Sequence, residues 1–307
     1  MLPQVLLTNG AELEQVNADV TMSVDHVDNL FAAAPRLQML NTGVYGECTA
    51  LIPLLRNDPP YGPLRVHELR IELAGADEAD VLALAAGMAT QNRLERLTLA
   101  DAEGPRGLNA LVAAAAEHRL LDLKLIHCDV DEESITPLAR LLQRGSLTEL
   151  YISSDVFPHA QETSMPVLCA ALRACRTLTA LELRLNPPGG ASHRTVTALL
   201  DAVAALPALS ELGLCHSRVR DAVGAGRALG ALLAANLPSF RTLRVDDCDL
   251  GDEGFAPLLD GLASNTHLRE LDCQDTGNDL SEEFERDRLE PALEALMAHV
   301  PRLGRAR

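Results

Sequence analysis

The sequence predicts an α/β solenoid of about ten strand–turn–helix repeats, with a parallel sheet on the concave side and helices on the convex side. Three observations support this fold class: an apolar motif recurs at regular intervals, a small or polar residue often follows it at a fixed offset, and an amphipathic run completes most units. One such unit cannot bury its own apolar face, but stacked neighbours can. Because strands are narrow and helices are wide, the stack is expected to curve into a horseshoe.

The strand of each repeat is predicted by the motif L-x-x-L-x-L, in which other apolar residues also occur. Its ten copies start 24 to 31 residues apart, at Leu13, Leu37, Val66, Leu94, Leu120, Leu147, Leu178, Leu209, Phe240 and Leu268. Side chains alternate between the two sides of a strand, so positions four and six are predicted to enter the core. Positions three, five and seven then point to the opposite, concave side, which we call the strand face.

A turn is predicted after each strand, where the ninth position often holds a small polar or thiol residue. The examples are Cys128, Asn186, Ser217 and Cys248. The eleventh position is often apolar again, at Val130, Phe157, Val219 and Leu250. A small ninth residue can turn the chain and lie buried between neighbouring repeats. The pattern is irregular, because Ala102, Asp155 and Thr276 occupy the ninth position elsewhere.

Helical runs complete the repeats, as in "SITPLARLLQRG", "TVTALLDAVAAL" and "GFAPLLDGLASN". Their apolar residues recur at intervals of three and four, which is typical of amphipathic helices. Pro137, Pro166 and Pro257 fall near the predicted helix starts, where a missing N–H costs little. The last run, "SEEFERDRLEPALEALMAHVPRL", predicts a longer charged capping helix at about 281–303.

The full pattern L-x-x-L-x-L-x-x-C/N-x-L, with a helical second half, resembles leucine-rich repeats of the ribonuclease-inhibitor-like class. The best matches are "CDLGDEGFAPLLDGLASNTHLREL" and "CDVDEESITPLARLLQRGSLTEL", and the resemblance covers about residues 5 to 300. It implies one leucine-rich-repeat solenoid over 1–307, with degenerate repeats at 1–63 and regular repeats at 64–273. For function it implies only that such proteins usually bind other proteins, often on the concave side.

Composition narrows the classes of partner. The net charge of −18 disfavours duplex nucleic acid and anionic membranes and permits a basic partner. Of 26 basic residues only one is a lysine, Lys124. Seven scattered cysteines without a Cys-x-x-Cys pair argue against a disulfide framework or a zinc site. No membrane span or signal peptide is evident, so we expect a cytoplasmic protein, or an effector delivered to another cell's cytosol.

The sequence carries no strong catalytic motif. The run "GAGRALG" lacks the Lys-Ser/Thr of a phosphate loop, and neither His-x-x-x-His nor G-x-S-x-G occurs. The nine histidines are dispersed, and we expect them at the surface. Cys215 and His216 are adjacent in a predicted strand and should point to opposite sides, which disfavours a nucleophilic pair. We therefore predict a protein that is not an enzyme and needs no cofactor or metal.

The candidate site lies on the strand face. Tyr151 is the aromatic residue of this row, and tyrosine is enriched at binding hot spots. Carboxylates gather in the C-terminal repeats around Arg244, and such a patch attracts a basic partner. The predicted partner-binding residues are Tyr151, Glu182, Arg184, Glu211, His216, Arg244, Asp246, Asp247, Glu270 and Asp272.

Three functions remain open at this point. The first is a non-enzymatic interaction module, such as a sensor, adaptor or effector, which binds a protein, possibly a basic one, through the concave strand face and the long loops. The second is a regulator of a GTPase or nucleotide pathway that acts through a loop arginine such as Arg194, Arg218 or Arg220. The third is a substrate-receptor subunit of a ubiquitin ligase, although no adaptor-binding segment is visible in the first 30 residues. The oligomeric state is not predicted.

Overall fold

The computed structural model describes residues 15–21, 32–34, 39–43, 52, 67–89, 94–154, 157, 163–185, 190–273 and 278–299. For 15–21, 39–43, 185 and 299 it describes the backbone alone. The chain divides into two compact units, Met1–Ser154 and Asp155–Arg307. Each unit consists of parallel strands that alternate with helices, which confirms the predicted leucine-rich-repeat architecture. The grouping of all repeats into a single domain stays a prediction.

The described residues of the first unit form six parallel strands in chain order. They are β1 (Gln15–Thr21), β2 (Met39–Gly43), β3 (Glu68–Glu72), β4 (Arg96–Ala100), β5 (Asp122–Ile126) and β6 (Glu149–Ser154). Helices α1 (Glu78–Met88), α2 (Pro105–Ala115) and α3 (Ile135–Gln143) follow β3, β4 and β5. Each predicted strand motif up to Leu147 therefore gives one strand.

The register of these strands follows the repeat. The fourth positions of neighbouring repeats pair directly, as Leu69–Leu97, Leu97–Leu123 and Leu123–Leu150. In β3 and β5 buried and partly exposed residues alternate along the whole strand. The predicted core positions four and six are thus confirmed. Full burial of one leucine contributes about 1.5–3 kcal/mol, so a slip of one residue would be very costly.

The second unit repeats this plan with four parallel strands. They are β7 (Ala180–Leu185), β8 (Glu211–Gly213), β9 (Thr242–Arg244) and β10 (Glu270–Asp272). Its helices are α4 (Ser164–Ala174), α5 (His193–Val203), α6 (Ala222–Ala234), α7 (Gly251–Leu262), α8 (Glu282–Phe284) and α9 (Glu290–His299). A π-helical turn at Glu285–Leu289 joins α8 to α9. The core lies between helices and sheet, where Leu200, Leu214 and Leu229 line a void of only about 20 Å³.

A left-handed turn ends several strands at the eighth position of the repeat. Asp101, His127, His216 and Asp247 all have φ between 50° and 53°. Aspartate tolerates this region better than most residues, and histidine is also enriched there. The turn directs the ninth residue back into the core.

The ninth residue then bonds two strand carbonyls. The thiol of Cys128 donates to the carbonyls of Leu99 and Ile126, each at 3.4 Å. Ser217 donates to the carbonyl of Leu183 at 3.0 Å, and Cys248 donates to that of Leu214 at 2.8 Å. All three residues are buried, which confirms the predicted role of a small polar or thiol group between repeats. Asn186 lies outside the described residues.

An unpredicted asparagine extends this series of hydrogen bonds. Buried Asn278 donates through Nδ2 to the carbonyl of Val245 at 2.8 Å and accepts from the Cys248 amide at 3.0 Å. It occupies the eleventh position of its repeat, where the sequence pattern favours an apolar residue. The Asn278 side-chain amide therefore donates to a strand carbonyl of the preceding repeat, as the ninth residue does elsewhere, but it does so from the eleventh position.

Helix starts were predicted well in two cases and wrongly in one. Pro137 and Pro166 are the third residues of α3 and α4. Pro257, however, lies inside α7, which begins six residues earlier at Gly251. The proline removes one helical N–H, but the buried face around Phe255 and Leu258 still holds this turn in place.

The glycines of "GAGRALG" allow α6 and α7 to pack closely. A Cβ atom on Gly226 would overlap the carbonyl oxygen of Gly254, and one on Gly230 would overlap that of Pro257. A Cβ atom on Gly261 would in turn overlap the backbone of Gly230. The run that superficially resembles a phosphate loop is therefore a helix-packing element.

His118 differs from the predicted surface position. It is buried, and its Nε2 lies 2.9 Å from the carbonyl oxygen of Met88 in the preceding repeat. Burial lowers the pKa of its imidazole below the ordinary value of 6.5, and the hydrogen bond to Met88 opposes this shift. A neutral imidazole can thus replace an apolar side chain where one backbone carbonyl needs a donor.

Candidate partner-binding surface

The strand face of the second unit is formed by β7 to β10 and the turns that follow them. Its predicted alternation holds in part: Leu181, Leu212, Leu243 and Leu271 are buried, each beside at least one partly or fully exposed polar residue, but Gly213 and Thr242 at strand-face positions are buried as well. Those neighbours include Glu182, Glu211, Arg244, Glu270 and Asp272. The parallel register places the same repeat position of successive strands side by side.

This face carries more carboxylates than cations. Its charged candidate residues are the six acids Glu182, Glu211, Asp246, Asp247, Glu270 and Asp272 and the two cations Arg184 and Arg244. With His216 neutral, these eight residues sum to −4. The surface is therefore negative locally as well as in the chain total.

Both arginines are already paired with carboxylates of this face. Arg184 donates through Nε to Glu182 Oε1 at 3.0 Å. The guanidinium of Arg244 lies 3.8 Å from Glu182 and 3.8 Å from Glu211. The arginines thus offset the charge at one side of the face, and the excess of negative charge falls on the two aspartates of β9's turn and the two acids of β10.

His216 links the turns after β8 and β9. Its Nδ1 lies 2.6 Å from Asp247 Oδ2, and its Nε2 lies 3.8 Å from Asp246 Oδ2. His216 and Asp247 both occupy left-handed backbone positions. Two consecutive eighth-position residues are therefore fixed against each other, which gives this edge of the face a defined geometry.

Cys215 does not lie open on the strand face as its seventh position predicted. It is buried at the point where the chain leaves β8. Burial raises the pKa of its thiol, and a hydrogen bond with Asp246 raises it further. A thiol that stays protonated is a poor nucleophile. Cys215 is therefore a buried structural residue, although it is next to His216 in the sequence.

Tyr151 lies on the strand face of the first unit, apart from the nine other candidates. It is partly buried, and β6 places it in register with Lys124 of β5. Arg70, Arg96 and Lys124 also occupy third or fifth positions of their repeats in this unit, but they are not among the predicted partner-binding residues. Their importance depends on relative exposure, which a sequence pattern does not contain.

The arginines proposed for GTPase regulation lie in the second unit, but Arg194 is in the first turn of α5 and not in a loop as predicted. Arg218 is largely exposed, and its Nε lies 3.7 Å from Asp249 Oδ2. Arg194 and Arg220 are also exposed. Regulation of a GTPase and the role as a ubiquitin-ligase receptor both stay predictions.

The described ranges bear on two further kinds of site, metal centres and membrane spans. Within them, no group of three or more His, Cys, Asp or Glu side chains is arranged to hold a metal ion. Over the same residues, no helix is long and apolar enough to cross a membrane.

Comparison with known proteins gives one informative relative. No family model matches the chain. It is 29% identical over 236 residues to the ribonuclease inhibitor of Mus musculus, and the alignment covers 75% of this chain and 49% of that protein. The chain thus spans about half the length of this curated relative.

A solved structure, the tropomodulin C-terminal domain of Caenorhabditis elegans, covers 82% of this chain and 94% of its own. Its sequence identity is 12% and the TM-score is 0.23, which is too low to support a conclusion. Three findings indicate the same fold, a solenoid of leucine-rich repeats. They are the recurring motif, the parallel strand–turn–helix units and the similarity to the mouse protein.

Proposed function

We propose that this chain, a leucine-rich-repeat protein of the ribonuclease-inhibitor-like class, is a non-enzymatic module that binds a basic protein on the strand face of its second unit. The observation that carries the proposal is the excess of carboxylates there, six against two arginines that are already paired. A surface of this kind attracts lysine and arginine side chains.

Exposure within the face supports this proposal. Glu211, Asp247 and Glu270 are exposed or nearly so, while the hydrophobic positions between them are buried. A partner therefore contacts carboxylates that extend from a sheet. Binding then costs little conformational entropy for ordering the backbone beneath them. Long-range attraction by the same charges raises the association rate, more so at low ionic strength.

The similarity to the mouse protein gives further support. That protein is named as an inhibitor of a ribonuclease, which is itself a protein. We infer protein binding for this chain from the shared repeat class together with its own acidic face. The identity of the partner does not follow from the similarity, since only about half of the relative is matched.

Affinity capture with three baits tests the proposal. The first bait is the wild type, and the second carries Asp246→Asn, Glu270→Gln and Asp272→Asn on the strand face. The third is a matched control with Asp201→Asn, Glu253→Gln and Glu294→Gln, which removes three exposed acids from helices of the same unit. We expect basic proteins to be held by the wild type and the control and lost from the strand-face variant.

Two results would contradict the proposal. If all three baits hold the same proteins, the strand face of the second unit is not the binding surface. If the proteins lost from the strand-face variant are acidic, attraction by carboxylates is the wrong explanation. Circular dichroism of each bait establishes that the variants are folded.

A further inference from the structure

The strand face of the first unit shows a regular difference between its cations and its acids. Three ion pairs lie there among the described residues: Arg70–Glu72 at 3.2 Å, Arg96–Glu68 at 3.6 Å and Lys124–Asp122 at 3.5 Å. In each pair the cation is the more exposed partner. The exposed fractions are 39% against 15%, 57% against 37% and 43% against 13%, in the same order.

Formal charge alone conceals this arrangement. In β3 to β6, positions three, five and seven hold four carboxylates and three cations, so their charge is −1. Glu72 and Asp122, however, lie beneath the cations that they pair with. A molecule that approaches this face therefore meets guanidinium and ammonium groups before Glu72 and Asp122, while Glu68 and Glu149 are the more exposed carboxylates.

The cations form a compact group on three successive strands. Arg70 of β3 is in register with Thr98 of β4, which is in register with Lys124 of β5. Adjacent strands lie about 4.8 Å apart, so the Cα atoms of Arg70 and Lys124 are about 10 Å apart. Arg96 stands on β4 between them, two residues before Thr98. Tyr151 continues the row beyond Lys124.

The inner position of the acids is a property of the fold. Asp122 is largely buried, and its Oδ1 has no hydrogen-bond partner. Burial is the main cause that raises the pKa of this carboxyl, and Lys124 opposes the shift. Asp122 is therefore held inside by the packing of the strand face, and its oxygens do not reach outward to neutralise an approaching ligand.

We propose that the strand face of the first unit is a second docking surface, which binds an extended acidic segment of a partner protein through Arg70, Arg96 and Lys124, with Tyr151 beside them. A carboxylate of the segment pairs with the outer side of each cation. A guanidinium carries five N–H donors and an ammonium three, so one internal contact does not exhaust either. This surface is independent of the acidic face proposed for the second unit.

The surrounding acids favour a carboxylate ligand over a nucleic acid. Glu68 and Glu149 flank the cations and would repel a backbone with a phosphate at every step. The total charge of −18 opposes polyanions at long range as well. Separate single charges on a peptide can lie over the cations and avoid the flanking acids.

Binding of a labelled peptide tests the proposal. The probe is a fluorescein-labelled glycine–serine peptide with a glutamate at every third position, about 10 Å apart when extended. Its analogue with glutamine in place of glutamate carries the same label and is the reference, in fluorescence anisotropy at low ionic strength. The variant Arg96→Gln, Lys124→Gln removes two outer cations. The matched control Arg106→Gln, Arg144→Gln removes two exposed cations that pair with Glu78 and Glu117 away from the strand face of the same unit.

We expect the acidic peptide to bind the wild type and the control alike, and the strand-face variant about tenfold more weakly, since two exposed ion pairs are lost. Glu149→Gln should tighten binding severalfold, because it removes the flanking repulsion. Tighter binding cannot result from a folding defect, so this variant keeps the test decisive.

Equal binding by all four proteins would overturn the proposal, as would no binding of the acidic peptide to the wild type. A wild type that self-associates in sedimentation, while the strand-face variant does not, would also overturn it and assign the surface to a second copy of the chain. Because the peptide carries no basic residue, none of the peptide-binding results depends on the acidic face of the second unit.

Discussion

At the scale of single residues, the fold depends on the ninth-position donors between repeats. Cys248 bonds the carbonyl of Leu214 in the preceding repeat, and Ser217 bonds that of Leu183 in the same way. Both carbonyls lie in the core, where an unsatisfied acceptor costs about 1–3 kcal/mol. Thiol and hydroxyl groups are interchangeable here because both are small and can donate one hydrogen bond.

We expect Cys248→Ala to lower the free energy of unfolding by about 1–3 kcal/mol, because the Leu214 carbonyl loses its buried donor. Cys248→Ser should lose less, since its hydroxyl donates to the same oxygen. Urea unfolding of the two variants and the wild type measures the difference. Equal losses for alanine and serine would show that side-chain volume matters here and the hydrogen bond does not.

His118 gives a pH-dependent contribution whose sign is fixed by burial. Its pKa is lowered in the folded state, so between that value and the unfolded value near 6.5 the unfolded chain binds more protons. The stability that neutral His118 provides is present above this range and is lost as the pH falls through it.

We therefore expect stability to fall as the pH is lowered below the unfolded value near 6.5, and His118→Gln to show a smaller fall, because glutamine can donate to Met88 without titrating. Urea unfolding across this range gives both slopes. Parallel slopes for the two proteins would contradict the role assigned to the imidazole.

The residue scale also shows what could be predicted from sequence. Burial at positions four and six followed directly from alternation, and ninth-position donors followed from their recurrence. The burial of Cys215 and the part played by Asn278 did not, since both depend on where the backbone leaves the strand. The contacts of His216 with two aspartates likewise require the left-handed turns.

At the scale of secondary-structure elements, α6 and α7 show how glycine can stabilise a helix pair. Glycine normally weakens a helix by about 1 kcal/mol relative to alanine. Here Gly226 and Gly230 remove the Cβ atoms that would hold the two backbones apart. In the sequence this run shows only an incomplete resemblance to a phosphate loop, and close packing between two helices is not encoded by either segment alone.

We expect Gly230→Ala to destabilise the protein by more than about 2 kcal/mol, against the helix propensity of alanine, because the new Cβ atom meets the backbone of Pro257. Ala231→Gly, at the exposed neighbouring position of α6, should cost only about 1 kcal/mol. Thermal unfolding compares the two. A Gly230→Ala variant as stable as the wild type would show that the helices can separate freely.

At the scale of the whole chain, a net charge of −18 has two opposite consequences. It keeps the chain soluble, and it weakens the folded state through self-repulsion. It also makes attraction to a basic partner depend on ionic strength. The excess of negative charge is evident from the composition alone. Its uneven distribution over the two strand faces is seen only from the relative exposure of the paired side chains.

We expect the melting temperature to rise as sodium chloride is added, by about 2 °C for each 1 kcal/mol of repulsion that is screened in a large domain. Capture of basic proteins on the second unit should weaken over the same range of salt. A solution of sorbitol at equal osmolality is the control for excluded-solute effects. A melting temperature that falls with salt would mean that favourable ion pairs outweigh the repulsion.

The outward position of Lys124 has a practical consequence for chemistry at this surface. It is the only lysine of the chain, it is partly exposed, and β5 places it in register with Tyr151 on the strand face of the first unit. Apart from the α-amino group, Lys124 is therefore the one primary amine that a reagent or enzyme can modify. An acyl group or a fluorophore attached there would report directly on whatever covers this face, without a cysteine having to be introduced.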